Sequence, residues 1–390
     1  MTRRVAVIVL DGVGCGDAHD AAAYGDAGNN TLGHVLDESP SLRLPNLERL
    51  GLGHVGPLHA VDPIPTHTGA VMVLEPMSPG KDSTTGHWEI AGLVLEQPFP
   101  TYPHGFPADM LEAFSQTTGR SVIGNCVASG TAILDSLGAR HVSSGAWIVY
   151  TSVDSVFQIA AHESVVPLDE LYRACEIARA MLVAPHDVAR VIARPFTGAD
   201  GEWQRTANRR DYSIEPAGET LLDALQSAGI RRTGVGKVDD LFASRAISST
   251  HTHDNADGLT RIRDWLASPT DGFLFANLVD FDQAFGHRND VAGFAAALAQ
   301  FDAALPALLA AMRDDDLLFI TADHGNDPTT PTTDHARERV PLLLAGDTVR
   351  PVVLPPRPTF ADLGATVADA FGVAWRGRGA SFLSQVVRAS

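Results

Sequence analysis

Apolar residues fall in short continuous runs along the chain, separated by stretches with a helical period. Residues 5–10 are all apolar and rich in β-branched side chains, which suits a central parallel strand covered on both faces. Residues 147–151, 273–279, 317–320 and 340–344 read as further strands. Behind Pro167, Leu168, Leu171, Cys175, Ala178 and Leu182 repeat at helical spacing. Residues 221–228 also read as helical. Phe294, Leu298, Phe301, Leu305 and Leu309 mark one face of a long helix that contains Pro306. Leu363, Val367 and Phe371 line a late helix, with Thr359 expected as its N-cap and Gly372 as its stop. Residues 41–80 mix short apolar pieces with Pro and Gly, and read as loops and short helices over the core. Strands alternating with helices predict an α/β fold, a mostly parallel sheet flanked by helices.

Residues 99–107, FPTYPHGFP, are dense in Pro and aromatics and mark a domain boundary; the α/β pattern returns after Pro216. No internal repeat or low-complexity linker interrupts the chain. With 390 residues, there is room for two domains or one elaborated core. The composition, 45% hydrophobic and 19% charged, is that of a globular protein. The net charge of −18 argues against a nucleic-acid or anionic-membrane surface, since no polyanion is drawn to it from a distance. A small phosphate held by a few placed Arg and Lys remains compatible with it. Cys15, Cys126 and Cys175 have no paired spacing, which points to a reducing cytosol rather than a disulfide framework. The start, Met1-Thr2-Arg3-Arg4, leads into an apolar run too short for a membrane span and without a signal-peptide cleavage site. A soluble, cytoplasmic protein is expected.

The chemistry-bearing residues sit just past the strands. Asp11 follows the first run, Asp282 and His287 follow 273–279, and Asp323, His324 and His335 follow 317–320 in TADHGNDPTTPTTDH. In an open parallel sheet the strand C-termini share one edge, so these groups can converge from distant parts of the chain. Four to six oxygen and nitrogen ligands fit two divalent ions better than one. Asp and His without Cys suit manganese or zinc more than calcium. Two ions about 3.5–4 Å apart clamp the attacking and leaving oxygens of a phosphoryl transfer. In GKDSTTGHWE, residues 80–89, Ser83, Thr84 and Thr85 are adjacent hydroxyls. They read as a nucleophile loop, as a helix N-cap built on Thr85, or as both. Arg190 and Arg194 lie on an apolar strand, while Arg205, Arg209 and Arg210 follow in a polar loop. Arg190 is expected to reach an anion, whereas Arg209 and Arg210 fit a solvated loop. Thr233 to Lys237 lacks P-loop spacing.

These stretches carry a resemblance. VIVLDGVGCGDA, GKDSTTGHWE, RVIARPFTG, RTANRRDY, NLVDFDQAFGHRND, TADHGNDPTTPTTDH and TFADLGATVA together resemble the prokaryotic phosphopentomutases of the alkaline phosphatase superfamily, almost end to end. Asn30 stands before Thr31 where an acidic residue is expected, and Gly12 stands where the family often has Ser. The resemblance implies an alkaline-phosphatase-like core, residues 1–98 and 215–390, with a mobile α/β cap inserted at 99–214. It implies Thr85 as the phosphorylated nucleophile, and not Ser83 or Thr84. Asp11, Asp323 and His324 look like ligands of one metal and Asp282, His287 and His335 of the other, both usually manganese, with Thr85 between them. Asp154, Arg190, Arg205 and Lys237 are similar to residues that hold the pentose phosphate. The implied reaction converts α-D-ribose 1-phosphate, or its 2-deoxy form, to the 5-phosphate through a 1,5-bisphosphate. Glucose 1,6-bisphosphate or ribose 1,5-bisphosphate would prime it. The expected partners are small pentose phosphates, with no nucleic acid and no membrane; the sequence does not fix the oligomeric state, and a monomer is compatible with it. The rival readings are another phosphatase, phosphodiesterase or phosphoglycerate mutase of the same superfamily, and a metal-binding sugar-phosphate sensor without turnover.

Overall fold

The computed structural model describes residues 4–152 and 154–388. Residues 1–3, at the start that lacks a signal-peptide pattern, and Val153, in the polar loop after residues 147–151, lie outside the described residues. The chain divides into two compact units, Met1–Pro98 with Pro216–Ser390, and Phe99–Glu215.

The first unit is built on an eight-stranded sheet. Its order is Ser249–Thr250, Arg232–Val235, Gly272–Leu278, Arg4–Leu10, Leu317–Thr321, Val340–Ala345, Ala70–Leu74 and Val352–Val353. Neighbours are parallel except around Val340–Ala345, which runs antiparallel to both its partners. Every residue of Arg4–Leu10, Gly272–Leu278 and Leu317–Thr321 is buried, as the apolar runs require of strands covered on both faces. Arg4 fits this interior because its guanidinium pairs with Asp316 and donates to the Leu266 and Ser268 carbonyls. The long helix Val291–Ala310 buries Phe294, Leu298, Phe301 and Leu305 and accommodates Pro306 inside it.

Two expectations need correction. The strand Ala70–Leu74 lies inside the 41–80 stretch that reads as loops and short helices. Its five buried residues are too short a run to stand out among Pro and Gly. The late helix is Ala361–Ala370 with Phe360, not Thr359, at the N-cap position. Thr359 Oγ1 instead accepts from the Ala361 amide and donates to the buried Glu89 carboxylate.

The second unit holds a six-stranded mixed sheet. Four strands follow in the order Val122–Val127, Trp147–Thr151, Val156–His162 and Arg190–Thr197, and the short Gln204–Arg205 and Arg210–Ser213 both pair with the last. One face carries Trp147, Val149, Phe157, Ile159, Val191 and Ala193 into a core with Phe114, Leu171 and Cys175 of its helices. The other face packs Ile148, Tyr150, Ala160 and Phe196 against Ile133 and Leu134. Arg190 and Arg194 alternate onto this second face, beyond that cluster.

Candidate active site

Three adjacent parallel strands, Gly272–Leu278, Arg4–Leu10 and Leu317–Thr321, end at one edge of the first sheet. Asp11 follows the middle strand directly. Asp282 follows Gly272–Leu278 in a single π-helical turn, Phe281–Phe285. Asp323 and His324 follow Leu317–Thr321. The strand register thus gathers residues that are hundreds of positions apart.

Five of the six expected ligands come together as two overlapping trios, with Asp323 beside them. Asp282, His287 and His335 form one, and Asp11, Asp282 and His324 the other, with ligand atoms in each within 4.8 Å of one another. His287 Nε2 lies 3.1 Å from Asp282 Oδ2, and His335 Nε2 lies 3.4 Å from Oδ1. His324 Nε2 lies 3.3 Å from Asp11 Oδ1 and 3.5 Å from Asp323 Oδ2. Asp282 therefore belongs to both groups, and Asp323 adjoins the second through His324.

Five of the six are oriented from behind. Asn277 Nδ2 donates to Asp11 Oδ2 at 2.8 Å, and Asn326 Nδ2 donates to Asp282 Oδ1 at 2.6 Å. The Gly12 amide donates to Asp323 Oδ1 at 3.1 Å. His287 Nδ1 donates to the Thr333 carbonyl at 2.7 Å and His324 Nδ1 to the Gly325 carbonyl at 3.0 Å. A carbonyl only accepts, so Nδ1 of each carries a proton and Nε2 faces carboxylates. That facing calls for positive charge between the groups, a second proton on the imidazole or a metal ion, and this donor set fits divalent metal ions with the orienting partners metal ligands usually have. Asp323 Oδ2, buried, has no hydrogen-bond partner among the described residues, because the nearby His87 Nδ1, 3.0 Å away, donates to the Ser83 carbonyl.

The protonation tendencies carry the same signature. Burial, then the Asp323 charge, raises the Asp11 carboxyl above its ordinary value. Burial also works to raise Asp282, but His335 and His287 outweigh it and hold it well below the carboxylate range. Burial opposes a charge on His324, yet Asp323 and Asp11 overcome it and lift the imidazole well above its usual value. The field at this edge draws positive charge.

The hydroxyls of residues 83–85 stand where a helix begins beside the ligand loop. The helix Ser83–Ile90 starts here, with Asp82, not Thr85, as its N-cap. Asp82 Oδ1 accepts from the Thr85 amide and Oδ2 from Thr85 Oγ1, at 3.0 and 2.6 Å. Thr85 is only 3% exposed and lines one cavity with Asp82, Asp323 and His324. The Ser83 hydroxyl lies 3.1 Å from His324 Nε2 and 3.4 Å from Asp11 Oδ1, and the residue is partly exposed. The helix presses so close to the ligand loop that a Cβ on Gly86 would meet the Asp323 carbonyl oxygen at 2.2 Å. His87, Asn277 and Asn326, which support the ligands, were not singled out in the sequence, since His and Asn among buried residues carry no pattern of their own.

Of the residues similar to substrate contacts, Lys237 closes the strand Arg232–Val235, and its Nζ donates to Gln283 Oε1, beside Asp282, at 2.9 Å. The others lie in the second unit. Asp154 follows Trp147–Thr151 and accepts from Ser152 Oγ at 3.3 Å. Arg190 opens its strand 3.7 Å from Asp211, with a buried Nε that has no hydrogen-bond partner among the described residues. Arg205 is exposed on Gln204–Arg205. Arg209 and Arg210 have local roles, the first paired through two 2.6 Å bonds with Asp211 and the second over the Tyr172 ring.

A sequence profile of the Metalloenzyme superfamily matches residues 3–374. The phosphopentomutase of Caldanaerobacter subterraneus subsp. tengcongensis is 52% identical over 388 residues, covering 99% of this chain and 98% of that one. That of Carboxydothermus hydrogenoformans is 52% identical over 386 residues, covering 98% and 99%. Among solved structures, Leishmania mexicana phosphoglycerate mutase superposes with a TM-score of 0.51 at 12% identity, covering 97% of each chain, a likeness of fold alone. The architecture is therefore the alkaline-phosphatase-like α/β fold, and by likeness over nearly its whole length the chain belongs to the phosphopentomutase family of the Metalloenzyme superfamily.

Proposed function

We propose that the chain interconverts α-D-ribose 1-phosphate, or the 2-deoxy sugar, and the corresponding 5-phosphate, with Thr85 as the residue that carries the phosphoryl group. The observation that supports this reading is that Thr85 and Asp82 line one cavity with Asp323 and His324 of the ligand cluster. The Thr85 hydroxyl is oriented there by its 2.6 Å bond to Asp82.

Asp11, Asp323 and His324 would hold one divalent ion and Asp282, His287 and His335 a second, both manganese by the resemblance. Bound there, the ions would neutralise phosphoryl oxygens and ease ionisation of the threonine hydroxyl. Phosphothreonine 85 gives its phosphoryl group to the free 5-hydroxyl of the sugar phosphate; the new O–P bond forms as the Thr85 Oγ1–P bond breaks. The 1,5-bisphosphate then presents its 1-phosphoryl group, which returns to Thr85 Oγ1 and frees the 1-hydroxyl. Thr85 sits in the first turn of its helix, where the local field favours a phosphate. Lys237 lies beside the ligand turn as a point charge for substrate phosphate, and Asp154, Arg190 and Arg205 of the inserted unit are proposed to grip the sugar phosphate. A sugar bisphosphate primer and a cytoplasmic setting belong to the same proposal. So does mobility of the inserted unit as a cap, which would limit hydrolysis of the phosphoenzyme.

The test is a phosphorylation map. After incubation with manganese and glucose 1,6-bisphosphate, the protein gains one phosphoryl group on Thr85. Thr85→Ala gains none and loses isomerase activity by about 10³-fold or more. Ser83→Ala still takes up the label. Label found on Ser83 instead would overturn the assignment, and phosphate release without isomerisation would overturn the mutase reading.

A further inference from the structure

We propose that Arg337 is a positioning residue for the phosphoryl transfer, holding the segment before the helix of Thr85 in place relative to the ligand loop. The inference rests on the assignment of Thr85 above. Residues 75–82 have no strand or helix of their own, although they connect Ala70–Leu74 directly to the helix that begins at Ser83. Three carbonyls of this segment end on one guanidinium. Arg337 Nη1 donates to Ser78 O at 2.6 Å and to Gly80 O at 2.5 Å, and Nη2 donates to Pro76 O at 3.0 Å. Nε and Nη2 donate to the two oxygens of Asp20, each at 3.0 Å. All five N–H groups of the side chain are thereby used, and the residue is only 2% exposed. The Tyr24 ring covers the guanidinium, 4.9 Å from its centroid.

Arg337 lies two residues beyond the ligand His335, so the clamp joins the metal loop to the nucleophile segment through one side chain. Its own amide donates to Asp26 Oδ2 at 2.8 Å, and the same carboxylate accepts from Lys81 Nζ at 3.1 Å. From the other side Glu89, in the nucleophile helix itself, accepts from the Met77 and Ser78 amides at 2.8 and 2.6 Å. Carbonyls and amides of the segment are therefore held by charged side chains of opposite sign. A buried ion pair adds little net stability compared with apolar packing. What a planar, five-donor fork adds is geometry, and a lysine ammonium cannot reproduce it. Displacement of a reacting group by about 1 Å can cost on the order of 100-fold in rate.

The experiment compares wild type, Arg337→Lys and Asp20→Asn as manganese-loaded full-length proteins. Asp20, with its side chain 31% exposed, is the milder change and serves if the buried substitution fails to fold. For Arg337→Lys the expected result is kcat lowered about 100-fold, KM changed less than about 3-fold and manganese content per chain unchanged. Labelling of Thr85 by glucose 1,6-bisphosphate should slow in proportion, and amide exchange should speed up across residues 76–82. Asp20→Asn should show the same pattern at smaller amplitude. An unchanged kcat, a loss confined to KM, or unaltered exchange in that segment in a folded variant would overturn the positioning role. Wild-type protein that is never labelled at Thr85 would instead sink the functional reading, so the two failures are distinguishable.

Discussion

In the sheet around Arg4–Leu10, each strand-end carboxylate is buried and has its own donor: Asn277 for Asp11, Asn326 for Asp282, the Gly12 amide for Asp323. In the Phe99–Glu215 unit, Arg190, Arg194 and Arg209 all act on one carboxylate, Asp211, and together overcome its burial and lower it. Arg194 donates to the neutral Gln158, and burial, then the charge of Arg209, pushes its guanidinium down to about 10. One region is negative and pre-oriented, so that cations complete it. The other holds more positive than negative charge around a half-exposed arginine, so that an anion completes it. The difference teaches that the two regions are built on separate physical terms, rigid orientation in the first and unbalanced charge in the second, as the proposed division between chemistry and substrate grip would require.

The sharpest way to break this comparison is Asp282→Asn, because Asp282 is shared by both ligand trios. Metal content by elemental analysis should fall, and turnover should fall by about 10³-fold or more. A variant that retains two ions and normal turnover would show that the pre-oriented cluster is not the reaction centre. A smaller and different effect is expected from Arg190→Ala. Loss of a charged hydrogen bond should raise KM for ribose 5-phosphate roughly 10-fold, with kcat and metal content altered much less. If kcat falls and KM does not, Arg190 acts on the transition state and the division between the two regions is wrong.

The smallest expected effect concerns Glu338, behind the ligand loop. It accepts from the Thr31 hydroxyl and amide and from the Gly16 amide, at 2.6, 2.9 and 3.2 Å. Burial nevertheless pushes its carboxyl up to about 7, from an ordinary value of 4.5. The folded protein thus keeps a proton that the unfolded chain has already lost. The stability from this group is full below the ordinary value and is lost as pH rises through about 7. Between about pH 5 and 8 the Tm of wild type should therefore decline by roughly 2–4 °C more than that of Glu338→Gln. Parallel Tm curves for the two proteins would show that Glu338 is ionised throughout.

Much of the fold was legible in local pattern. Residues 5–10, 273–279 and 317–320 read as buried strands because a strand covered on both faces has no polar alternation to confuse it. The short strand Ala70–Leu74, set among turn residues, did not. The metal-type ligands were legible for a related reason: Asp11, Asp282, Asp323 and His324 each follow such a run, and parallel strands bring their ends to one edge. Arg337 had no comparable signal, since its partners at residues 20 and 76–80 lie more than 250 positions away in the chain.

What the sequence determined by itself was the set of strands and the carboxylates and imidazoles expected at their ends, because both follow from short-range patterns of burial and turn chemistry. How the neighbouring hydroxyls are set against those groups was decided only by tertiary structure. Residues 83, 84 and 85 are chemically alike and adjacent, and a rotation of about 100° per helical residue separates them in space. The cap on Asp82 fixes the Thr85 hydroxyl, and the close approach of Gly86 to Asp323 sets the helix against the ligand loop, so that Thr85 shares a cavity with Asp323 and His324.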